Sequence, residues 1–179
     1  MKRIDTFIKG VYILEWTPFA DSRGLFCRHF CNNALKDEGI DQFSLAQANL
    51  SINPVMGTFR GFHYQTGNCM ERKIMSPILG SFLDTVIDLR PSSPTYKCNY
   101  QYELSATKNH SIHIPEGCAN SFLTLQDNTI IHYYVSQYYS PDHEKGIRYD
   151  DPAFDINLPF IPKVVSKKDL SHPNYVDSF

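Results

Sequence analysis

The sequence carries no large excess of charge of either sign, a single tryptophan and no long apolar run. Its 17 basic and 19 acidic residues leave a formal net charge of -2, so no whole-molecule field draws nucleic acid or an anionic membrane surface. Nowhere do 18 consecutive apolar residues occur, which excludes a membrane-spanning helix of the usual length. The basic opening MKRIDTFIKG has no apolar run behind it, unlike a secretory leader. The expectation is a soluble cytoplasmic protein with neither nucleic acid nor membrane as partner. The five cysteines, Cys27, Cys31, Cys69, Cys98 and Cys118, include no Cys-x-x-Cys pair and form no regular framework, as suits free thiols in a reducing compartment. Also missing are a Walker loop, a Rossmann glycine fingerprint and a nucleophile elbow, which argues against an NTPase, a nicotinamide dehydrogenase and an α/β-hydrolase. No internal repeat, low-complexity stretch or interdomain linker is apparent.

What is present is the composition of an ordinary globular chain: 179 residues, 42% hydrophobic and 20% charged, with 11 Pro and 9 Gly. That length suits one domain over 1–179. Such a domain buries roughly 70% of the surface its unfolded chain exposes, so neither a disulfide nor a metal is needed for folding. The 24 aromatic residues combine with Val, Ile and Thr in short runs separated by turn signals, which favours strands. Candidate strands are 10–16, 43–52, 73–89, 100–104, 110–114, 121–125 and 129–138, and this many runs predicts an all-β sandwich or barrel. The best helix candidate is 32–39, with polar residues able to cap its start and Gly39 placed to end it. Within 81–89, strand alternation puts Phe82, Asp84, Val86 and Asp88 on one face and Leu83, Thr85, Ile87 and Leu89 on the other. Both faces carry apolar residues, so the two carboxylates need either wet strand ends or an Arg partner. The last stretch, 155–179, has few strand signals and is expected to wrap the surface or lid a site.

Chemistry concentrates in Arg60-Gly61-Phe62-His63-Tyr64-Gln65. His63 is the natural proton carrier at neutral pH, and Arg60 offers a planar fork suited to phosphate or carboxylate. A metal centre is not expected. Metal-binding cupins use a His-x-His pair, a nearby Glu and a His in a Pro-x-Gly-x-x-His turn, whereas His63 is followed by Tyr64 and Gln65. The only close pair is His110-x-x-His113, and the turn starting at Pro115 ends on Asn120. Tyr133 and Tyr139 share parity if their strand is continuous, and could line one pocket as acid or stacking surface.

Several blocks in order carry a resemblance that runs nearly end to end. They are Asp21-Ser22-Arg23-Gly24-Leu25-Phe26, Gln47-Ala48-Asn49-Leu50-Ser51, Gly57 to Gln65, Asp84 to Arg90 with the following Pro91-Ser92-Ser93-Pro94, Pro115-Glu116-Gly117-Cys118-Ala119, Tyr133 to Pro141, Glu144, Asp150-Asp151-Pro152, and Ser166-Lys167-Lys168-Asp169. In this order they resemble the dTDP-4-dehydrorhamnose 3,5-epimerase family. The resemblance implies a cupin-like jelly-roll β-sandwich with short peripheral helices, a homodimer and no cofactor. It implies an isomerase that inverts C3, C5 or both in a nucleoside-diphosphate 4-keto-6-deoxy sugar, in deoxysugar biosynthesis for a surface polysaccharide or natural product.

Carried over by position, the resemblance makes His63 the base, Asp169 its orienting carboxylate, Tyr133 the acid and Lys73 the cation at the enolate oxygen. Arg23 and Arg60 would hold the diphosphate. Gln47, Asn49, Glu144 and Lys168 would contact nucleotide or sugar, and Tyr139 would stack on the base. Two positions depart from the pattern. Asn120 stands where the family usually has His, facing the substrate, and Arg28 stands where Glu is common, near the expected nucleotide pocket. The nucleotide (thymidine, cytidine or guanosine), the sugar (hexose or heptose) and the inverted carbon stay open. A sugar-nucleotide 3,4-ketoisomerase and a noncatalytic sugar-nucleotide binding module are the alternatives.

Overall fold

A computed structural model describes residues 1–176. In chain order the strands are β1 (Lys2–Asp5), β2 (Tyr12–Glu15), β3 (Phe19–Asp21), β4 (Gly24–Phe26), β5 (Gln47–Asn53), β6 (Thr58–Gln65), β7 (Lys73–Leu79), β8 (Ser81–Asp88), β9 (Asn99–Ser105), β10 (His110–Ile114), β11 (Cys118–Thr124), β12 (Thr129–Val135), β13 (Glu144–Gly146) and β14 (Val164–Val165). The helices are α1 (Asn32–Asp37) and α2 (Lys167–Leu170). One sheet runs β1-β2-β10-β7-β12-β5 and the other β13-β6-β11-β8-β9, with β14 pairing in parallel on β6 and every other pairing antiparallel. The all-β expectation holds. Among the described residues no helix is long and apolar enough to cross a membrane.

Strand alternation sorts the apolar residues into three layers. Ile13, Met75, Phe82, Val86, Phe122 and Ile131 meet in one cluster shared by strands of both sheets. Their neighbours Leu14 and Ile74 turn the other way, against Leu35 of α1, Ile40 and Phe43. Ile87 and Leu123 turn outward from the second sheet and are covered by Ile147, Phe154 and the partly buried Leu158, Phe160 and Tyr175. A strand covered on both faces reads as an almost unbroken apolar run, which is why 73–89 looks like one strand. It is two, broken at Gly80, where φ is +74° and a Cβ would lie 2.6 Å from Thr129 Oγ1.

Other boundaries also shift. The run 43–52 enters its sheet only at Gln47, and 129–138 leaves at Val135. Residues 60–65, where the chemistry concentrates, belong to strand β6, which is absent from the candidate strands. Helix α1 starts at Cys31 without a side-chain cap, contrary to expectation, and closes as Gly39 donates to the Lys36 carbonyl at 2.9 Å. Asp88 takes the arginine solution: Arg90 grips it through Nε and Nη2, both at 2.8 Å, and Ser93 and Thr95 donate as well. Burial alone would raise its pKa, but these donors outweigh it and hold the carboxyl near 2. Asp84 takes neither solution, being fully buried with no hydrogen bond to either oxygen. The segment from 155 wraps the second sheet as expected as far as 176, and 177–179 lie outside the described residues.

Candidate active site

The site lies where β6 of one sheet faces β7 and β12 of the other. Antiparallel registers put His63 opposite Asn120 on β11 and opposite Gly146 on β13. Across the gap, Tyr133 is paired with Met75 on β7 and Asn49 on β5. Two adjoining cavities, about 300 Å³ and about 280 Å³, open between them, and His63, Lys73 and Tyr133 line both. Gln47, Asn49, Tyr139 and Glu144 line the first, and Arg60 and Asn120 the second.

Behind His63 lies a carboxylate. His63 Nε2 is 2.8 Å from Asp169 Oδ1, with the carboxylate side chain only 5% exposed. A ring nitrogen bonded to a carboxylate carries the proton, so Nδ1 is left with the lone pair. Asp169 is held by its helix: Ser166 caps α2, its Oγ accepting from the Asp169 N–H at 3.0 Å. The Gly61 N–H donates to the other carboxylate oxygen at 3.4 Å. Only glycine fits at position 61, where φ is +128° and a Cβ would stand 2.5 Å from that of Ser121. Burial would raise the pKa of Asp169, but the hydrogen bond and charge of His63, with the donors from Gly61 and Ser166, bring it below its ordinary value.

Lys73 points into the cavities between two partners. Its Nζ is 3.0 Å from Glu71 Oε1 and donates to Asn120 Oδ1 at 2.9 Å. Asn120 donates in turn to Met75 Sδ at 3.1 Å. Glu71 was not singled out by the sequence; Gln65 Nε2 fixes it with a 2.8 Å bond to Oε2, and only its place two residues before Lys73 hinted at it. Tyr133 has its pKa raised, chiefly by burial, with Arg60 opposing and Glu71 adding to the effect. Its phenol therefore keeps its proton at neutral pH.

At the mouth, Tyr139 is exposed, its hydroxyl donating to Glu144 Oε2 at 2.8 Å while Lys168 Nζ grips the same oxygen. Its backbone N–H donates to Gln47 Oε1 at 3.0 Å. Burial pushes the Glu144 pKa up, but Lys168 and Tyr139 bring it below normal. Tyr133 and Tyr139 thus share a cavity, although not through one continuous strand. Arg60 reaches the second cavity, with Nε 3.3 Å from Asn53 Oδ1. Arg23 does not join the group: it sits on the β3–β4 hairpin, 88% exposed, clasping Asp21. Arg28 lines a separate small hollow with Trp16 and Phe19 rather than these cavities. His172, also missed by the sequence reading, packs beside the His63–Asp169 pair.

The profile described as dTDP-4-dehydrorhamnose 3,5-epimerase matches residues 5–177. The chain belongs to this family. A dTDP-4-dehydrorhamnose 3,5-epimerase of Sinorhizobium fredii is 34% identical over 168 residues, covering 93% of this chain and 86% of the relative. Among solved structures of the family, the 3,5-epimerase of Bacillus anthracis with TDP and pyrophosphate bound superposes with a TM-score of 0.93 at 34% identity, covering 97% of this chain and 98% of the other. A 3'-monoepimerase of Streptomyces bikiniensis in complex with dTDP-quinovose superposes at 0.87 with 27% identity, covering 94% and 85%.

Proposed function

We propose that the chain inverts C3, C5 or both of a nucleoside-diphosphate 4-keto-6-deoxy sugar of the dTDP-4-dehydro-6-deoxyglucose type. The observation that carries this reading is the meeting of His63, Lys73 and Tyr133 around shared cavities. The 4-keto group acidifies the hydrogens on both neighbouring carbons, so the substrate supplies its own electron sink and the chemistry asks for no cofactor. His63 Nδ1 takes the proton while Asp169, bonded to Nε2–H, holds the ring in that tautomer and balances the charge it gains. The resulting enolate places negative charge on the C4 oxygen, where the Lys73 ammonium stabilises it. Tyr133, protonated at neutral pH, returns a proton to the opposite face, which inverts the centre. Acid and base assistance of this kind is typically worth about 100- to 10,000-fold each.

Gln47, Asn49, Glu144, Lys168 and Tyr139 frame the opening toward the nucleotide, with Tyr139 offering a stacking face, while Arg60, lining the second cavity with Asn120, would hold the diphosphate. The thymidine nucleotides bound to the two relatives favour a dTDP substrate here. Arg23 would reach a diphosphate only from the exposed hairpin, which also shows Phe19, Leu25 and Phe26 to solvent. This hairpin and, separately, Leu50 and Ile52 on edge strand β5, exposed at the rim of the second cavity, offer apolar surface that supports a homodimer. One domain over 1–179, a cupin-like jelly roll and a place in cytoplasmic deoxysugar synthesis complete the proposal.

Incubating dTDP-4-dehydro-6-deoxyglucose with the protein in heavy water tests it. Deuterium should enter at C3, C5 or both, with inversion there. Product without label, a carbonyl moved to C3, or binding without exchange would each overturn the reading.

A further inference from the structure

His172 has a feature that the epimerase chemistry does not use. Its Nε2 is buried and has no hydrogen-bond partner, an arrangement that is unfavourable when nothing satisfies the atom. The ring occupies space that only glycine leaves free, since a Cβ on Gly146 would fall 2.0 Å from Nε2. Gly146 is also the register partner of His63, so the same gap draws both imidazoles to one place. The backbone there is pinned, with Arg148 Nη1 donating to the His172 carbonyl at 3.1 Å. Asp169 lies three residues earlier, on the capped helix α2. One ligand atom from each of His63, Asp169 and His172 lies within 4.8 Å of the others.

We propose that His63, Asp169 and His172 form a binding site for a borderline transition metal ion such as Zn2+. Two imidazoles and one carboxylate are the donor set of four-coordinate zinc with one open position, and they do not suit Mg2+ or Ca2+, which favour all-oxygen shells. With metal–ligand bonds of about 2.0–2.1 Å, a tetrahedral site spaces its donors about 3.3 Å apart. His63 Nε2 and Asp169 Oδ1, now 2.8 Å apart, would need to separate by about half an ångström, and donors as far apart as the 4.8 Å limit of the cluster would close by about 1.5 Å. The Lys168 ammonium, whose charge acts on His172, is engaged with Glu144, so its repulsion of a cation is offset.

Occupancy has a consequence that rests on the reading of His63 as the base. A metal on Nε2 takes the lone pair of that nitrogen, so the one proton of the neutral ring must sit on Nδ1. Nδ1 then has nothing with which to accept a proton from the sugar, and turnover stops until the ion leaves.

The test uses the full chain stripped with a chelator. Titration with Co2+ should give the intense visible absorption of a four-coordinate nitrogen and oxygen site at one ion per chain, without the near-ultraviolet charge-transfer band that cysteine ligation would add. Zn2+ should displace it, raise the melting temperature and inhibit turnover reversibly. Since loss of a mere supporting partner weakens metal sites about 10- to 100-fold, His172→Gln should weaken all three effects at least about tenfold, with turnover in chelator within about twofold of wild type. The melting shift is read without turnover, and His172→Ala serves if the glutamine variant folds poorly. Equal Zn2+ effects in wild type and His172 variants, a six-coordinate cobalt spectrum or a thiolate band would overturn the site. A four-coordinate site that depends on His172 but leaves turnover intact would support the metal site and overturn the role given to His63.

Discussion

His63 and Asp169 stand 106 positions apart in the chain and 2.8 Å apart in space, joined because β14 lays the C-terminal segment on β6 and α2 then turns its one buried residue inward. The contact needs two further local features: a glycine at 61 that lets the strand backbone reach the carboxylate, and a serine at 166 that starts the helix at the right residue.

Asp169→Asn keeps the shape of this pair but exchanges an acceptor that fixes Nε2–H for an amide with no charge. Turnover is expected to fall by about 100- to 10,000-fold with little change in KM, measured by initial rates. The native pKa of Asp169 lies below its ordinary 3.8, so its ionised form stabilises the fold above that pH. The contribution is lost as pH falls through the native value. The melting temperature of wild type should therefore drop more steeply than that of the variant below about pH 4. Parallel melting curves would contradict the pairing.

Asp84 shows the opposite sign. Burial pushes its carboxyl up to about 8, and the nearby Lys73 ammonium and Asn120 amide offset only part of that. Between pH 4 and pH 8 the unfolded chain releases this proton while the native chain keeps it, so stability declines as pH rises through that window. Asp84→Asn removes the penalty. Its melting temperature should exceed that of wild type by an amount that grows from pH 4 to pH 8, up to a few kcal/mol in stability. A constant difference would mean that the carboxyl is ionised in the fold at neutral pH.

On the proposed mechanism, Lys73→Met removes the cation aimed at the developing enolate. The loss should fall on kcat, by about 100- to 1,000-fold, because the keto oxygen of bound substrate carries little charge for Lys73 to engage. It also leaves Glu71 facing the cavity without its ion-pair partner. Glu71→Gln in the same chain should recover stability without recovering rate. A defect mainly in KM would reassign Lys73 to binding.

The exposed hairpin β3–β4 and edge strand β5 give a test of assembly. Sedimentation at micromolar concentration should show a dimer, and Phe26→Glu with Leu50→Glu should yield monomer. A wild-type monomer would contradict the homodimer.

Much of the fold was legible because its signals are local. Alternating apolar residues in 81–89 marked a strand covered on both faces, and those faces pack in two different clusters. Turn positions were harder to place: the end of β7 is set by the fit of Gly80 against Thr129, a contact 49 positions away that no local pattern records. Within the site, His63, Lys73, Tyr133 and Asp169 were found through motif order, and the structure gathers them. Glu71 was not, since it matters only through contacts made by folding, with Gln65 and Lys73; nor was His172, which lies outside the catalytic set and is placed beside it by the gap at Gly146. Asp84 was flagged as a buried acid needing a partner, and its resolution by burial without a hydrogen bond was beyond any pattern of residues.

The division of labour proposed for His63 and Tyr133 is tested most directly by deuterium uptake in heavy water, read together with configuration at the labelled carbon. Tyr133→Phe should still acquire deuterium, but with retention, because His63 can remove and return a proton on its own face. His63→Asn should acquire none. Uptake by the His63 variant at a rate near that of wild type would contradict the assignment of the base, and inversion at full rate by the Tyr133 variant would contradict that of the acid.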